Sequence, residues 1–334
     1  MSPTPPVLTL PATSERLAAR LQEGLAAVDT RLRQEVDHDD PFITEAGLHL
    51  SEAGGKRFRP LLTLLASELG TGINDDVIAA AAGVELTHLA SLYHDDVMDE
   101  AQVRRGALSA NAAYGNSTAI LVGDLLFGTA SSIIADLGAE AVKIQAQTFV
   151  RLCAGQIRDE RPPAPGVDPV EYYLGVLEDK TGVLIATAAR YGAMFSGCTP
   201  ETVAVMREYG ERLGMAFQLA DDLIDIASDF DETGKMPGTD LREGKATLPV
   251  LYARASTDPA DARLRELLAT DLHDDEVLLA EALELLRAHP AMTQARQRTE
   301  QVARQAQDAL APLPDSEART ALLALATSVV TRVG

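Results

Sequence analysis

The chain has 334 residues, of which 46% are hydrophobic and only 4% aromatic, with no Trp. Its core must therefore be built from aliphatic side chains and Ala, which favours packed helices over a β-sandwich. The formal charge of -21, from 50 acidic and 29 basic residues, excludes nucleic acid and anionic membrane surfaces as favoured partners.

The start of the chain and its cysteines indicate the compartment. The first eleven residues are rich in Pro and lack the basic start and apolar stretch of a signal peptide. No apolar run is expected to span a membrane, and Cys153 and Cys198 match no metal-ligand spacing. We expect a cytoplasmic protein with a flexible N-terminal segment, 1–12, followed by one domain over 13–334.

The predicted elements are helices throughout. Leu17, Leu21, Leu25, Val28 and Leu32 form one apolar stripe, which predicts a helix over 13–36. Similar patterns predict further helices over 60–69, 75–100, 117–137, 140–159, 169–191, 200–229, 246–255, 276–289, 293–310 and 316–331. Gly and Pro clusters separate these segments. No segment shows the clear alternation of apolar and polar residues that would predict a strand. The predicted fold class is all-α, a large helical bundle.

Two acidic triplets lie within predicted helices: Asp95, Asp96 and Asp99, and then Asp221, Asp222 and Asp225. In each, the first and third Asp are one turn apart on one helix face. One such triplet in so acidic a chain is typical of a solvated surface. Two all-Asp copies flanked by apolar residues place carboxylates at the edge of a core. If the two helices face each other, they can hold Mg2+, which takes hard oxygen ligands.

A basic counterpart precedes the first triplet. Residues 54–60 form a Gly-Gly turn that runs into a helix predicted to begin at Pro60. Backbone N–H groups there, with Lys56 and Arg59, predict a diphosphate site. A short basic run is by itself more often solvated surface. Taken alone, the other basic candidates would also be solvated surface. Their presence together with both Asp triplets favours an anion site. They are Arg104, Arg105, Lys180, Lys235 and Lys245.

Three further polar residues stand at positions that suit a site. His88 lies seven residues before Asp95, two turns along the same helix face, although a single helix His is usually structural. Gln218 precedes Asp221 by three residues. Thr181 follows Lys180 in an apolar helix, where an unpaired charge is costly.

In order and spacing, these segments resemble the trans-isoprenyl diphosphate synthases, also called the polyprenyl synthetase family, and in particular its medium and long chain members. The resemblance rests on segments that cover most of the chain: 54–60, 94–99, 104–106, 180–181, 217–225, 234–235, 238–240 and 244–249. It implies the isoprenoid synthase type I fold, which is a single helical bundle around a central cavity. It also implies that the chain forms a homodimer.

The resemblance also implies roles for the site residues. Three Mg2+ ions per active site would clamp an allylic diphosphate, with Asp95, Asp99, Asp221 and Asp225 as ligands. The residues implied to assist are Asp96, Asp222, Arg104, Lys180, Lys235 and Lys245. Those implied to bind isopentenyl diphosphate are Lys56, Arg59, His88 and Arg105. Gln218 and Thr181 would stabilise the allylic cation through their oxygen dipoles.

Product length is expected to depend on an apolar tunnel that runs from Asp95 back along its helix. The residues expected at its floor are small or aliphatic: Val84, Thr87, Ala90 and Ser91. By analogy with the family they favour a medium or long chain product, but they also suit close helix packing. Tyr93 lies about 200 degrees from Asp95 and is expected to face away from the tunnel.

Three other functions compete with this one. A geranylgeranyl diphosphate synthase would differ only in product length. A terpene cyclase would use one Asp-rich helix, but by family analogy it would carry an Asn/Ser/Glu-type second motif, which this chain lacks. A non-catalytic subunit of a heteromeric synthase would not need two intact triplets.

Overall fold

The computed structural model describes residues 13–227 and 237–331. The expected flexible segment 1–12 therefore lies outside the described residues. Described helices follow one another along the chain, and one short β-hairpin interrupts them. The all-α prediction is confirmed.

The helices of the first part of the chain are α1 (Glu15–Val36), α2 (Pro41–Glu52), α3 (Phe58–Ser67), α4 (Asp75–Met98), α5 (Ala110–Tyr114), α6 (Asn116–Asp136) and α7 (Ala139–Asp159). Strands β1 (Val103–Arg104) and β2 (Ala107–Leu108) form the antiparallel hairpin between α4 and α5. The sequence patterns missed α2, α5 and this hairpin, of which α5 and the two strands are too short to show a clear period. They also placed the start of α3 two residues late, since Phe58 rather than Pro60 begins it.

The helices of the second part are α8 (Pro169–Leu177), α9 (Val183–Phe195), α10 (Pro200–Ala227), α11 (Thr239–Arg242), α12 (Leu248–Arg254), α13 (Ala262–Leu268), α14 (Glu276–Ala288), α15 (Pro290–Ala309) and α16 (Glu317–Thr331). A π-helical turn, Glu178–Gly182, joins α8 to α9, and a 3-10 turn, Pro259–Asp261, precedes α13. The predicted helix 169–191 thus contains a π turn, a feature that is often found at functional sites.

The described residues group into two compact units. The first unit holds residues 13–150, 184–210 and 310–324, and the second holds 151–183, 211–309 and 325–331, apart from 228–236. The single domain over 13–334 stays a prediction.

Within the first unit, α4 is the central helix. It begins at the N-cap Asn74, whose side chain accepts a hydrogen bond from Val77 N. Buried residues lie on all its sides, as expected of a core helix. It packs closely on α6, where a Cβ at Gly83 would lie 2.9 Å from Ile134. This packing holds α4 in the core of the unit, and its C-terminal end carries the first Asp triplet.

Helix α6 is relevant to the expectation that no apolar run spans a membrane. Among the described residues, this helix is long and apolar enough to cross a membrane by length and composition. Core helices pass the same test, and α6 buries Val122, Leu126 and Ile133 in the same hydrophobic cluster as α4 residues.

Within the second unit, α12 packs against α15 and α8. Arg151 bonds Asp179 at 2.7 Å, Glu178 at 3.0 Å and Glu211 at 2.9 Å. Arg158 also pairs with Asp179. These ion pairs fix the π turn that contains Lys180 and Thr181.

Candidate active site

The first Asp triplet lies at the C-terminal end of α4. Asp99 is the C-cap of this helix, and its N–H donates to the carbonyl of Asp95 at 2.8 Å. Its carboxylate lies 3.8 Å from Nη2 of Arg104 and is 24% exposed. Asp95 and Asp99 therefore stand one turn apart, as predicted from their spacing, and Asp99 lies beside a guanidinium group.

Asp96 has a different environment from its two neighbours. Its side chain is fully buried; Oδ1 accepts from Nε of Arg104 at 2.6 Å and Oδ2 accepts from Ala110 N at 2.7 Å. Both oxygens are thus used to hold the hairpin and α5 against α4. The predicted role of Asp96 beside the diphosphate stays a prediction, while the contacts give it a structural role.

Two guanidinium groups and one imidazole approach one another within the first unit, and we call Arg59, His88 and Arg105 the cationic cluster. The pKa of Arg59 is lowered to about 10, mainly by burial and to a smaller extent by the charge of Arg105. Burial, then the charge of Arg59, lowers the pKa of His88 well below 6.5. Burial also lowers the pKa of Arg105. Positive charge here is poorly solvated, so an anion would relieve it.

Backbone carbonyl groups hold Arg105 in place within this cluster. Nη1 of Arg105 donates to the carbonyls of Leu50, at 3.1 Å, and Gly54. A Cβ at Gly55, which has φ 145, would lie 2.7 Å from that nitrogen, so Gly permits the approach. Among the described residues, Nε of Arg59 is buried and has no hydrogen-bond partner. Lys56 is exposed at the edge of this segment.

The second Asp triplet lies near the end of α10 in the second unit. Asp222 is 3% exposed; its oxygens accept from the hydroxyl of Tyr173 and from Nε2 of Gln218, the latter at 3.0 Å. Burial raises the pKa of Asp222 to about 7, although both hydrogen bonds lower it. Asp225 accepts from the backbone N–H groups of Thr239, at 3.2 Å, and Asp240, at 3.1 Å.

Asp240 adds a fourth acid to this region, and we call Asp221, Asp222, Asp225 and Asp240 the carboxylate cluster. The pKa of Asp240 is raised to about 8, mainly by burial and then by the charge of Asp222. Negative charge here is poorly solvated. Bound cations would relieve it.

A cavity of about 780 Å³ in the second unit brings several predicted residues together. Its lining includes Lys180, Thr181, Gln218, Asp222 and Lys245. The Nζ of Lys180 lies 2.7 Å from Asp159, and that of Lys245 lies 2.6 Å from Glu243. The predicted residue Lys235 lies outside the described residues.

Comparisons with known proteins agree with this chemistry. Residues 40–286, well over half of the chain, match the family model described as polyprenyl synthetase. The chain belongs to the polyprenyl synthetase family. It is therefore a trans-prenyltransferase. It is 50% identical over 318 residues, 95% of either chain, to the nonaprenyl diphosphate synthase of Mycobacterium tuberculosis.

Solved structures show the same fold. The geranylgeranyl pyrophosphate synthase of Corynebacterium glutamicum, complexed with calcium and isoprenyl diphosphate, is 45% identical, with a TM-score of 0.85 over 96% of this chain and 98% of that one. A decaprenyl diphosphate synthase from Rhodobacter capsulatus is 35% identical, with a TM-score of 0.86 over 96% and 99%. The chain thus has the all-α isoprenoid synthase type I fold.

The donor set of this family member fits a hard divalent cation. Within residues 13–227 and 237–331, no three His, Cys, Asp or Glu side chains converge as a ready metal site. Mg2+ does not require such a set, because it usually takes one or two carboxylates, water and the phosphate oxygens of a substrate. The spaced carboxylates of Asp95 and Asp99 suit that mode. That both triplets share one metal site stays a prediction.

The expected chain-length residues lie along α4. Val84, Thr87 and Ala90 are buried, and the hydroxyl of Ser91 donates to the carbonyl of His88. Tyr93 is fully buried and donates to the carbonyl of Ala46 in α2.

Sequence reasoning missed the partner of one of these residues. Nε2 of Gln145 in α7 donates to Oγ1 of Thr87 at 2.6 Å. Among the described residues, Oε1 of Gln145 is buried without a hydrogen-bond partner. A polar bridge thus joins α4 and α7 at an expected floor position.

Sequence reasoning also missed the counter-ion of the cationic cluster. Glu85 is 3% exposed and bonds Arg57 at 3.1 Å. Burial lowers the pKa values of Arg59 and Arg105, and the charge of Glu85 opposes this by raising them. Arg57 itself has φ 47 and donates to Asp29 at 3.0 Å. A single Glu in the apolar run before His88 was the available signal, since a buried acid usually has a cationic partner.

Two residues of the second-unit cavity were missed as well. Asp159 pairs with Lys180, and Tyr173 bonds Asp222. Neither belongs to a motif that residue spacing alone would identify, because each meets its partner only through the fold.

Proposed function

We propose that this enzyme condenses isopentenyl diphosphate with an allylic diphosphate to make an all-trans polyprenyl diphosphate of medium or long chain. The observation that carries the proposal is the presence of two poorly solvated clusters of opposite charge. The cationic cluster suits the diphosphate of isopentenyl diphosphate, and the carboxylates suit a metal-bound allylic diphosphate.

The proposed cofactor is Mg2+, with three ions per active site. Asp95, Asp99 and Asp221 would hold them, with Asp225 as a further ligand. The geranylgeranyl pyrophosphate synthase of Corynebacterium glutamicum is complexed with calcium, which supports a divalent ion here. When bound, such ions neutralise the leaving diphosphate, so that the allylic C–O bond can ionise.

The side chains contribute to the same reaction. Lys180, Lys245 and Arg104 would add fixed positive charge at the allylic diphosphate. Lys56, with the cationic cluster, would hold isopentenyl diphosphate so that its double bond attacks the cation. The oxygens of Thr181 and Gln218 would face that cation, and the proton lost from the adduct would pass to the released diphosphate. No side-chain nucleophile is required.

Product length separates two candidate functions. The 50% identity to a nonaprenyl diphosphate synthase supports a long product. The 45% identity to a geranylgeranyl pyrophosphate synthase favours the shorter alternative. The small side chains of Ala90 and Ser91 support the longer product by analogy with the family.

We propose that the protein is a cytoplasmic homodimer. In α6, the apolar side chains of Ile120, Leu121 and Leu125 are exposed on one face of the helix. A second copy of the chain would cover this face. The replacement Leu121→Glu should yield monomers in light scattering, and unchanged dimers would show that this face is not the interface.

The function is tested with the purified chain, isopentenyl diphosphate, several allylic primers and Mg2+. The dephosphorylated products are then sized, and products longer than geranylgeraniol would exclude the shorter alternative. Diphosphate release without any partner protein would exclude a non-catalytic subunit. Absence of Mg2+-dependent release from every primer would refute the proposal.

The tunnel assignment has its own test. The replacement Ser91→Phe or Ala90→Phe should shorten the products by at least one isoprene unit, because the ring fills space beside α4. Val277→Phe, at an exposed position of α14, serves as the control. Unchanged lengths in both α4 variants would contradict the assignment.

A further inference from the structure

A chain of hydrogen bonds crosses the cavity of the second unit. The hydroxyl of Tyr173, in α8, donates to Oδ2 of Asp222. Oδ1 of Asp222 accepts from Nε2 of Gln218 at 3.0 Å. Oε1 of Gln218 in turn accepts from Oγ1 of Thr181 at 3.4 Å. All four side chains line the same cavity of about 780 Å³.

This arrangement gives the Gln218 amide one orientation. A Gln amide has an oxygen at one end that accepts and an NH2 group at the other that donates. Because Asp222 accepts from the NH2 group, the oxygen turns towards Thr181. The reversed amide would place its oxygen against the carboxylate, which is unfavourable.

The orientation of the Asp222 carboxylate depends in turn on Tyr173. The terminal torsion of an Asp side chain is soft, so the carboxylate needs a second partner to stay fixed. Tyr173 supplies it, and burial raises the pKa of Tyr173 well above 10, so the hydroxyl keeps its proton to donate. Losing this hydroxyl would free the carboxylate to rotate and the Gln218 amide to reverse.

We infer that Tyr173 is a positioning residue that acts through Asp222 to aim the oxygen of Gln218 at the allylic cation. The inference rests on the proposed function, in which that oxygen stabilises the cation. A reversed amide would present its positive NH2 end to the cation and slow ionisation. Substrate binding depends on the diphosphate contacts and would change little.

Tyr172 provides a matched control. It is the neighbouring residue of α8 and lines the same cavity. Its hydroxyl donates only to the backbone carbonyls of Arg158, at 2.9 Å, and Arg161, at 3.2 Å, among the described residues. Tyr172→Phe therefore removes the same atom from the same helix without touching Asp222.

The test compares Tyr173→Phe with Tyr172→Phe in steady-state kinetics. We expect kcat of Tyr173→Phe to fall about tenfold, the effect of about 1.4 kcal/mol on a barrier. Its KM for either substrate should stay within about twofold, because binding energy common to ground and transition states is retained. Tyr172→Phe should keep its kcat. An unchanged kcat in Tyr173→Phe, or a loss shared by Tyr172→Phe, would overturn the inference.

A double-mutant cycle separates positioning from general structure. In a Gln218→Ala background, Tyr173→Phe should cost no further rate, since the group through which it acts is gone. Because the Gln218→Ala variants turn over slowly, the rate is measured as ionisation of the allylic diphosphate in a single turnover. A full additional tenfold loss would mean that Tyr173 acts by another route and would overturn the inference. Failure of the wild-type enzyme to release diphosphate would instead refute the proposed function.

Discussion

Burial disfavours the charged forms of the side chains in both clusters: positive charge in the cationic cluster of the first unit and negative charge in the carboxylate cluster of the second. In the first, burial and neighbouring cations lower the pKa values of Arg59 and His88. In the second, burial and neighbouring acids raise the pKa values of Asp222 and Asp240. Both costs fall when a ligand of opposite charge binds, so each cluster is prepared for a different kind of ligand.

The strongest way to test this difference is to remove a metal-ligand candidate. Asp221→Ala should lower turnover by about 1,000-fold or more, since ionisation depends on charge stabilisation of the leaving group. Asp95→Ala should do the same. The measurement is Mg2+-dependent diphosphate release, with Asp274→Ala as control, because Asp274 has 98% of its side chain exposed. Near-normal rates would remove the varied residue from the metal site.

A smaller effect is expected from the cationic cluster. Arg59→Met should raise KM for isopentenyl diphosphate by about 100-fold through loss of a charge-assisted hydrogen-bond donor. KM for the allylic substrate should change much less. Arg33→Met is the control, since Arg33 is 55% exposed and pairs with Glu52. An equal rise in both KM values would mean that the two clusters do not serve separate substrates.

The smallest effect concerns stability against pH, where the clusters should act in opposite directions. Because the pKa of Asp240 is raised to about 8 in the folded state, the folded state binds more protons than the unfolded state between about pH 4 and about pH 8. The free energy of unfolding therefore falls as pH rises through this range. The lowered pKa of His88 means that the unfolded state binds the extra proton, so stability is lost as pH falls below 6.5.

Variants at the two positions should separate these contributions. In melting curves without Mg2+, Asp240→Asn should gain a few degrees over wild type above pH 8, in line with roughly 2–4 °C per kcal/mol. His88→Gln should gain relative to wild type only below pH 6.5. If melting temperature depended on pH in the same way for the variants and the wild type, burial would not shift the pKa values of Asp240 and His88 as described.

The sequence by itself determined the helical class and most helix positions, because long apolar periods depend on near neighbours. It also singled out every member of the two clusters except Asp240, since Asp triplets at helical spacing and the Gly-Gly turn are local patterns. It missed α5 and the hairpin, whose segments are too short to show a clear hydrophobic period.

Only the tertiary structure decided which acids are held by other groups. Asp96 is enclosed by Arg104 and Ala110 N, and Asp222 by Tyr173, which is 49 residues away in the chain. The bridge from Gln145 to Thr87 spans 58 residues. The burial and partners of a side chain depend on segments that are distant in sequence, so spacing alone cannot separate a metal ligand from an acid that holds the fold together.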